Sequence, residues 1–332
     1  MPDPVSQALV QGIGRISKGL VEFAGKYRTA SPGKNMRHAV EDIVRRDGAN
    51  TGVFSEHASE KSSNFGWFKE IKEYDHYNDP GTNWEIQKRL QEKFPSSRIE
   101  GFSAPGIDTR TAKEIESNLI EFRGKYPHSD VHSLHIDDHD EGVLATTDQM
   151  VRRMTDGAGR RIPVGSRVTF SKQFAQNRPR LLETIRKCVD EKFHPHLSDV
   201  QNNATGSILW HEFGHVLSND GKLTALAKAD RALFDHFVQT RGHTGSSLET
   251  LEQYFQSQGG DELARTWKPF GEWRSQLSRY SFWNGRLDPD EALAEAFSNV
   301  EMSGARATEP AQVLHKLLVD EAEAQWRKMG KI

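Results

Sequence analysis

The chain has 332 residues, 35% of them apolar, with 44 Lys and Arg against 47 Asp and Glu and a single cysteine. Such a length and apolar share allow a sizeable buried core, and a net charge of -3 gives the chain as a whole no electrostatic reason to seek nucleic acid or anionic lipid. Lone Cys188 excludes an intrachain disulfide, no apolar run approaches the roughly 20 residues of a membrane span, and no Sec-type leader is visible. The expected location is the cytoplasm, or a virion or other delivery route that needs no such leader.

In chain order, Val5, Leu9, Ile13, Ile16, Leu20 and Phe23 recur at steps of three or four, which predicts an amphipathic helix. Its apolar face packs on its own protein or on a partner; Gly12, Gly14 and Gly19 argue against a membrane-surface helix. Residues 29–82 are rich in Ser, Gly, Asn and charge, and Asn78-Asp79-Pro80-Gly81 signals a turn. A boundary is expected there. It separates residues 1–80, mainly helical or irregular and open to a protein partner, from one domain over residues 81–332.

Thr82 with Glu85, and Thr111 with Glu114, read as capping boxes opening helices that carry Ile86, Leu90, Phe94 and Ile115, Leu119, Phe122. Residues 131–136, 142–147 and 166–171 read as strands, and Leu181, Leu182, Ile185, Cys188 and Val189 mark a further helix. Helices and short strands alternating in this way predict an α+β fold.

The stretch with the most chemical information is Ile208-Leu209-Trp210-His211-Glu212-Phe213-Gly214-His215-Val216-Leu217, which contains HExxH. Chance alone would give about 0.05 such patterns in a chain with 14 histidines, and the apolar flanks place this one in a helix. Positions four apart share a helix face, so His211 and His215 can aim imidazole nitrogens at one ion. Glu212 then stands beside the ion's open position, where a carboxylate can take a proton from water and pass it to a leaving amine.

Two histidines and a water leave a tetrahedral site incomplete. The longer pattern HExxHxxGxxH fails, because Ser218 and Gly221 occupy its glycine and histidine positions. A second helix, Asp288-Pro289-Asp290-Glu291-Ala292-Leu293-Ala294-Glu295-Ala296-Phe297, offers Glu291 and Glu295 on one face. If Glu291 binds the ion, Glu295 can accept the second ring N–H of a ligating histidine. Asp288 and Glu291 also have capping-box spacing, and a purely structural role for them stays open.

HEFGH at 211–215 followed by EALAEAF at 291–297 resembles the gluzincin type of zincin metallopeptidase, including lethal-factor-like and phage- or toxin-encoded zincin domains. The resemblance implies a domain with a small mixed sheet, an active-site helix and a helical C-terminal part. It also implies Zn2+ held by His211, His215 and Glu291, with Glu212 as general base and a protein or peptide substrate. Tyr280 would be the donor to the tetrahedral intermediate, with a core tyrosine as the other reading. Residues 166–171 would form the edge along which an extended substrate pairs. A different class of function also stays open: a phage structural or delivered protein whose domain binds a partner and cleaves little.

The remaining histidines read more plainly. His132, His135 and His139 are taken as strand-edge or loop residues, and His194 and His196 as part of the approach to the HExxH helix. His236 and His243 are fallback oxyanion donors, although a solvated helix or loop is the simpler reading. Cys188 is expected to be a buried thiol, and Arg152, Arg153, Arg160 and Arg161 a basic solvated loop.

Overall fold

The computed structural model describes residues 78–140, 142–153, 161–194, 203–241, 268–283 and 285–332. The helix expected over Val5 to Phe23, most of the 1–80 segment, and His196, His243 and Arg160 lie outside these residues. Among the described residues the fold is α+β, with nine α-helices and a four-stranded mixed sheet. No helix among them is long and apolar enough to cross a membrane.

Helix α1 (Pro80–Lys93), strand β1 (Arg98–Glu100) and helix α2 (Thr109–Lys125) lead into β2 (Val131–Asp137) and the hairpin of β3 (Ala145–Arg153) with β4 (Arg161–Ser171). Helices α3 (Lys172–Gln176), α4 (Arg178–Asp190), α5 (Gly206–Asp220), α6 (Ala229–Arg241) and α7 (Lys268–Arg274) follow. A two-stranded ribbon, β5 (Phe282–Trp283) with β6 (Arg286–Leu287), precedes α8 (Pro289–Ser303) and α9 (Glu309–Lys328).

Both early helices begin sooner than their capping boxes suggest. Aspartate is a strong N-cap and proline suits the first helical turn, so Asp79 caps α1 by accepting from the amides of Gly81 and Thr82. Asp108 does the same for α2, accepting from Thr111 N at 2.8 Å. Glu114 is therefore not a cap residue. Its carboxylate meets the fully buried Arg178 and accepts from Thr205 N at 3.4 Å, just ahead of α5.

The sheet order is β1-β2-β4-β3, with β1, β2 and β4 parallel and β3 antiparallel. This corrects the expected substrate edge: residues 166–171 belong to β4, an interior strand paired on both sides, and the edge on that side is β3. The continuous burial of Val168, Thr169, Phe170 and Ser171 is the mark of a strand covered on both faces. Arg152, Arg153 and Arg161 likewise lie in the paired ends of this hairpin rather than in a loop.

Helix α5 runs through the interior. All but Asn219 of its 15 residues are buried, the polar His211, Glu212 and His215 among them. Trp210 and Phe213 join Phe122 of α2 and Phe297 of α8 in one aromatic cluster, with the Phe122 and Phe213 rings stacked at 4.2 Å and Trp210 5.9 Å from Phe297. Gly214 allows the α5 and α8 backbones to meet, since a Cβ there would lie 2.7 Å from Cα of Ala294. Above that point Ser298 Oγ donates to Ser207 O at 3.0 Å. Asn118 of α2 secures the start of α5 by donating to Thr205 Oγ1 and Asn203 Oδ1 at 3.1 and 2.9 Å.

At its other end, α5 finishes on Asp220, 7% exposed, whose carboxylate accepts from Asp130 N at 3.2 Å. Burial, and then the charge of Asp130, push the Asp220 carboxyl up to about 7, against the opposing pull of the Asp130 N–H and Lys331. Between about pH 4 and pH 7 the folded chain keeps a proton that the unfolded chain releases, so this residue makes stability fall as pH rises through that window. Asp220→Asn should remove up to about 3 kcal/mol of the fall between pH 5 and pH 8. Urea unfolding at pH 5 and pH 8 measures it, and an unaltered pH dependence would refute the assignment.

Candidate metal centre

Four-residue spacing on α5 turns His211 and His215 toward α8, where the contact at Gly214 brings the first two turns of α8 within reach. The two Nε2 atoms lie 3.2 Å apart, and Glu291 Oε2 is 3.3 Å from His211 Nε2 and 3.7 Å from His215 Nε2. All three side chains are buried. Among the described residues this is the one group of His, Cys, Asp and Glu side chains arranged to hold a metal ion.

The capping alternative for Glu291 does not hold. Asp288 is the N-cap residue, but its own N–H donates to Ser281 O at 2.9 Å, and the Glu291 carboxylate faces the imidazoles instead.

Each of these two rings has a carboxylate at its back. His211 Nδ1 lies 2.8 Å from Glu295 Oε1, and His215 Nδ1 lies 3.2 Å from Asp290 Oδ1. A carboxylate accepting from Nδ1–H fixes the tautomer and leaves the Nε2 lone pair free to bind. Two such nitrogens and Glu291 Oε2, which has no hydrogen-bond partner among the described residues, then present three electron-rich atoms to one point. Their spacing matches the edges of about 3.3 Å that tetrahedral bonds of 2.0–2.1 Å generate. The donor set therefore fits a divalent cation.

Proton affinity expresses the same electrostatics. Burial alone would lower the His211 imidazole, but Glu291 and Glu295 outweigh it and raise the group to about 9. His215 is likewise raised, with Asp290 and Glu291 overcoming burial. Burial would raise Glu291 and Glu295, yet the facing histidines hold each carboxyl down to about 2. A cation and protons would compete for this pocket, because the ligands bind metal only in their deprotonated forms.

Glu212 leaves α5 one step round from His211. It is 2% exposed, and its Oε2 accepts from Thr147 Oγ1 on β3 at 2.7 Å. Tyr280 sits in a short turn before the ribbon, with its ring 5.7 Å from that of His211. Its phenol oxygen is buried and has no hydrogen-bond partner among the described residues. Burial, followed by the charges of Glu291, Glu295, Glu212 and Asp288, raises the phenol well above its ordinary range, so it stays protonated and able to donate. Asp288 is itself pushed up to about 6 by burial and by Glu291 and Asp290.

The structure thus brings together all six residues singled out in the sequence: His211, Glu212, His215, Tyr280, Glu291 and Glu295. It adds three that sequence reasoning missed. Asp290 was present in the α8 stretch without a role, and asking which acid serves the Nδ1 of each histidine would have found it. Thr147 carries no local signal. His194, expected only as loop, is 6% exposed and places Nδ1 2.9 Å from Glu295 Oε1, the same oxygen that faces His211.

The other described histidines named in the sequence analysis have partners outside this pocket or face solvent. His132 is exposed, His135 Nε2 lies 3.9 Å from Glu100, and His139 Nε2 faces Thr169 O at 3.1 Å. The fallback role for His236 is not supported, since its Nε2 meets Glu309 at 2.9 Å and its ring stacks on Trp273. Cys188 is a buried thiol, pushed up to about 12 by desolvation and then by Glu295.

Compared with known protein families, characterised proteins and solved structures, the chain shows no match.

If these three side chains hold a dication, Glu291→Ala should abolish stoichiometric uptake of added zinc by the full chain. Asp290→Asn and Glu295→Gln should instead weaken uptake about 10- to 100-fold. Competition against a chromophoric chelator measures all three, and wild-type affinity in Asp290→Asn would show that this contact does not orient His215.

Proposed function

We propose that the chain is a zinc-dependent endopeptidase of the zincin type. The observation that carries this reading is the convergence of His211 Nε2, His215 Nε2 and Glu291 Oε2, with the carboxylate of Glu212 one helical step away. Two imidazoles and one carboxylate at tetrahedral spacing suit zinc better than the all-oxygen sites of calcium or magnesium. When bound there, zinc supplies Lewis acidity that polarises a carbonyl and lowers the pKa of water.

The chain's own groups divide the remaining work. Glu212 takes the proton of the attacking water and delivers it to the departing amine nitrogen. Tyr280, a buried phenol whose hydroxyl has no partner among the described residues, donates to the oxygen on which charge develops. Glu295 and Asp290 hold the two rings in the binding tautomer. The edge strand β3 supplies the backbone groups with which an extended peptide pairs, the part first expected of residues 166–171.

The direct test is cleavage of a random peptide library by the purified full chain, with and without chelator. Glu212→Gln should retain zinc and lose about 10²- to 10⁴-fold in turnover; turnover near that of wild type would remove Glu212 from its assigned role. For the edge strand, substrate peptides N-methylated at alternate amides lose outward-facing donors, so KM should rise for one of the two alternating sets. Equal KM for both sets would end the strand-pairing idea.

A further inference from the structure

Thr147 lies 65 residues before Glu212 and on a different element, yet its hydroxyl meets that residue twice. Oγ1 is 2.7 Å from Glu212 Oε2 and 3.1 Å from Glu212 main-chain O. A hydroxyl has one proton to donate, and the shorter contact goes to the group that can carry charge, where a hydrogen bond is stronger. Both residues are shielded from solvent, Thr147 at 3% and Glu212 at 2% exposure, so water does not replace the bond when it is lost.

Thr147 is also held in place. Its backbone pairs with Val168, which is fully buried on the interior strand β4, and the branched Cβ restricts its side-chain rotation. The donor therefore stands on a rigid element with its direction set by the sheet.

We propose that Thr147 is a positioning residue for Glu212. Its hydroxyl holds the carboxylate by Oε2 and leaves Oε1 to take the proton of the nucleophilic water. This inference rests on the hydrolase reading. It adds that the strand on which a peptide would lie also aims the base, so both are placed by one register.

Thr147→Val keeps the side-chain shape and removes the donor, and Thr147→Ser keeps the donor. Both are made in the full chain and loaded with zinc. They are assayed on a quenched-fluorescent peptide derived from the library sequence that the wild type cleaves fastest. The valine variant should lose about 10- to 100-fold in kcat with KM and zinc content unchanged, and the serine variant should recover most of it. Crystal structures of zinc-loaded wild type and Thr147→Val should show the Glu212 carboxylate rotated away from its wild-type orientation in the variant.

Wild-type kcat in Thr147→Val, or a serine variant as slow as the valine one, would overturn the proposal. A wild type that cleaves no peptide overturns the hydrolase reading and with it the catalytic part of this one. In that case an unmoved Glu212 in the valine variant overturns the positioning contact too.

Discussion

The close approach of α5 to α8 is the constraint from which the rest of the centre follows. Gly214 and Ala294 let two backbones meet where any larger pair would hold them apart. Along the line of contact, Ser207 faces Ser298, His211 faces Glu295, and His215 faces Asp290 and Glu291. The aromatic cluster of Phe122, Trp210, Phe213 and Phe297 fixes the rotation of α5, so the imidazoles have only one direction in which to point. Packing thus sets the distances, and the distances set the chemistry.

Charge is the second organising principle. Glu212, Asp288, Asp290, Glu291 and Glu295 gather around His194, His211 and His215 in a region largely closed to water. Carboxylates in such surroundings need either protons or cations, and here Glu291 and Glu295 are held in their charged forms. An anionic interior of this kind is costly by itself and favourable around a dication.

What the sequence made legible was what depends on one helix at a time. His211, Glu212 and His215 follow from a four-residue period, and so does the shared face of Glu291 and Glu295. Features decided between distant segments were not legible. His194 reaches Glu295 across 101 residues and Thr147 reaches Glu212 across 65, and no periodicity encodes either meeting. Strand order is non-local in the same way: residues 166–171 have the look of any short strand, and only the pairing with β2 on one side and β3 outermost on the other makes them interior. The early helix starts were misplaced for a simpler reason, because Asp79 and Asp108 outcompete the threonines that follow them as caps.

Glu295 Oε1, shared between two imidazoles, joins three parts of the molecule: the segment closing α4, the middle of α5 and the second turn of α8. A dication seated among His211, His215 and Glu291 would sit directly beside this junction and act as an internal cross-link between helices some 80 residues apart in the chain. Its binding energy would then be part of the folding energy. Loosening the aromatic interior would cost the chain its ion, and withdrawing the ion would soften the interior.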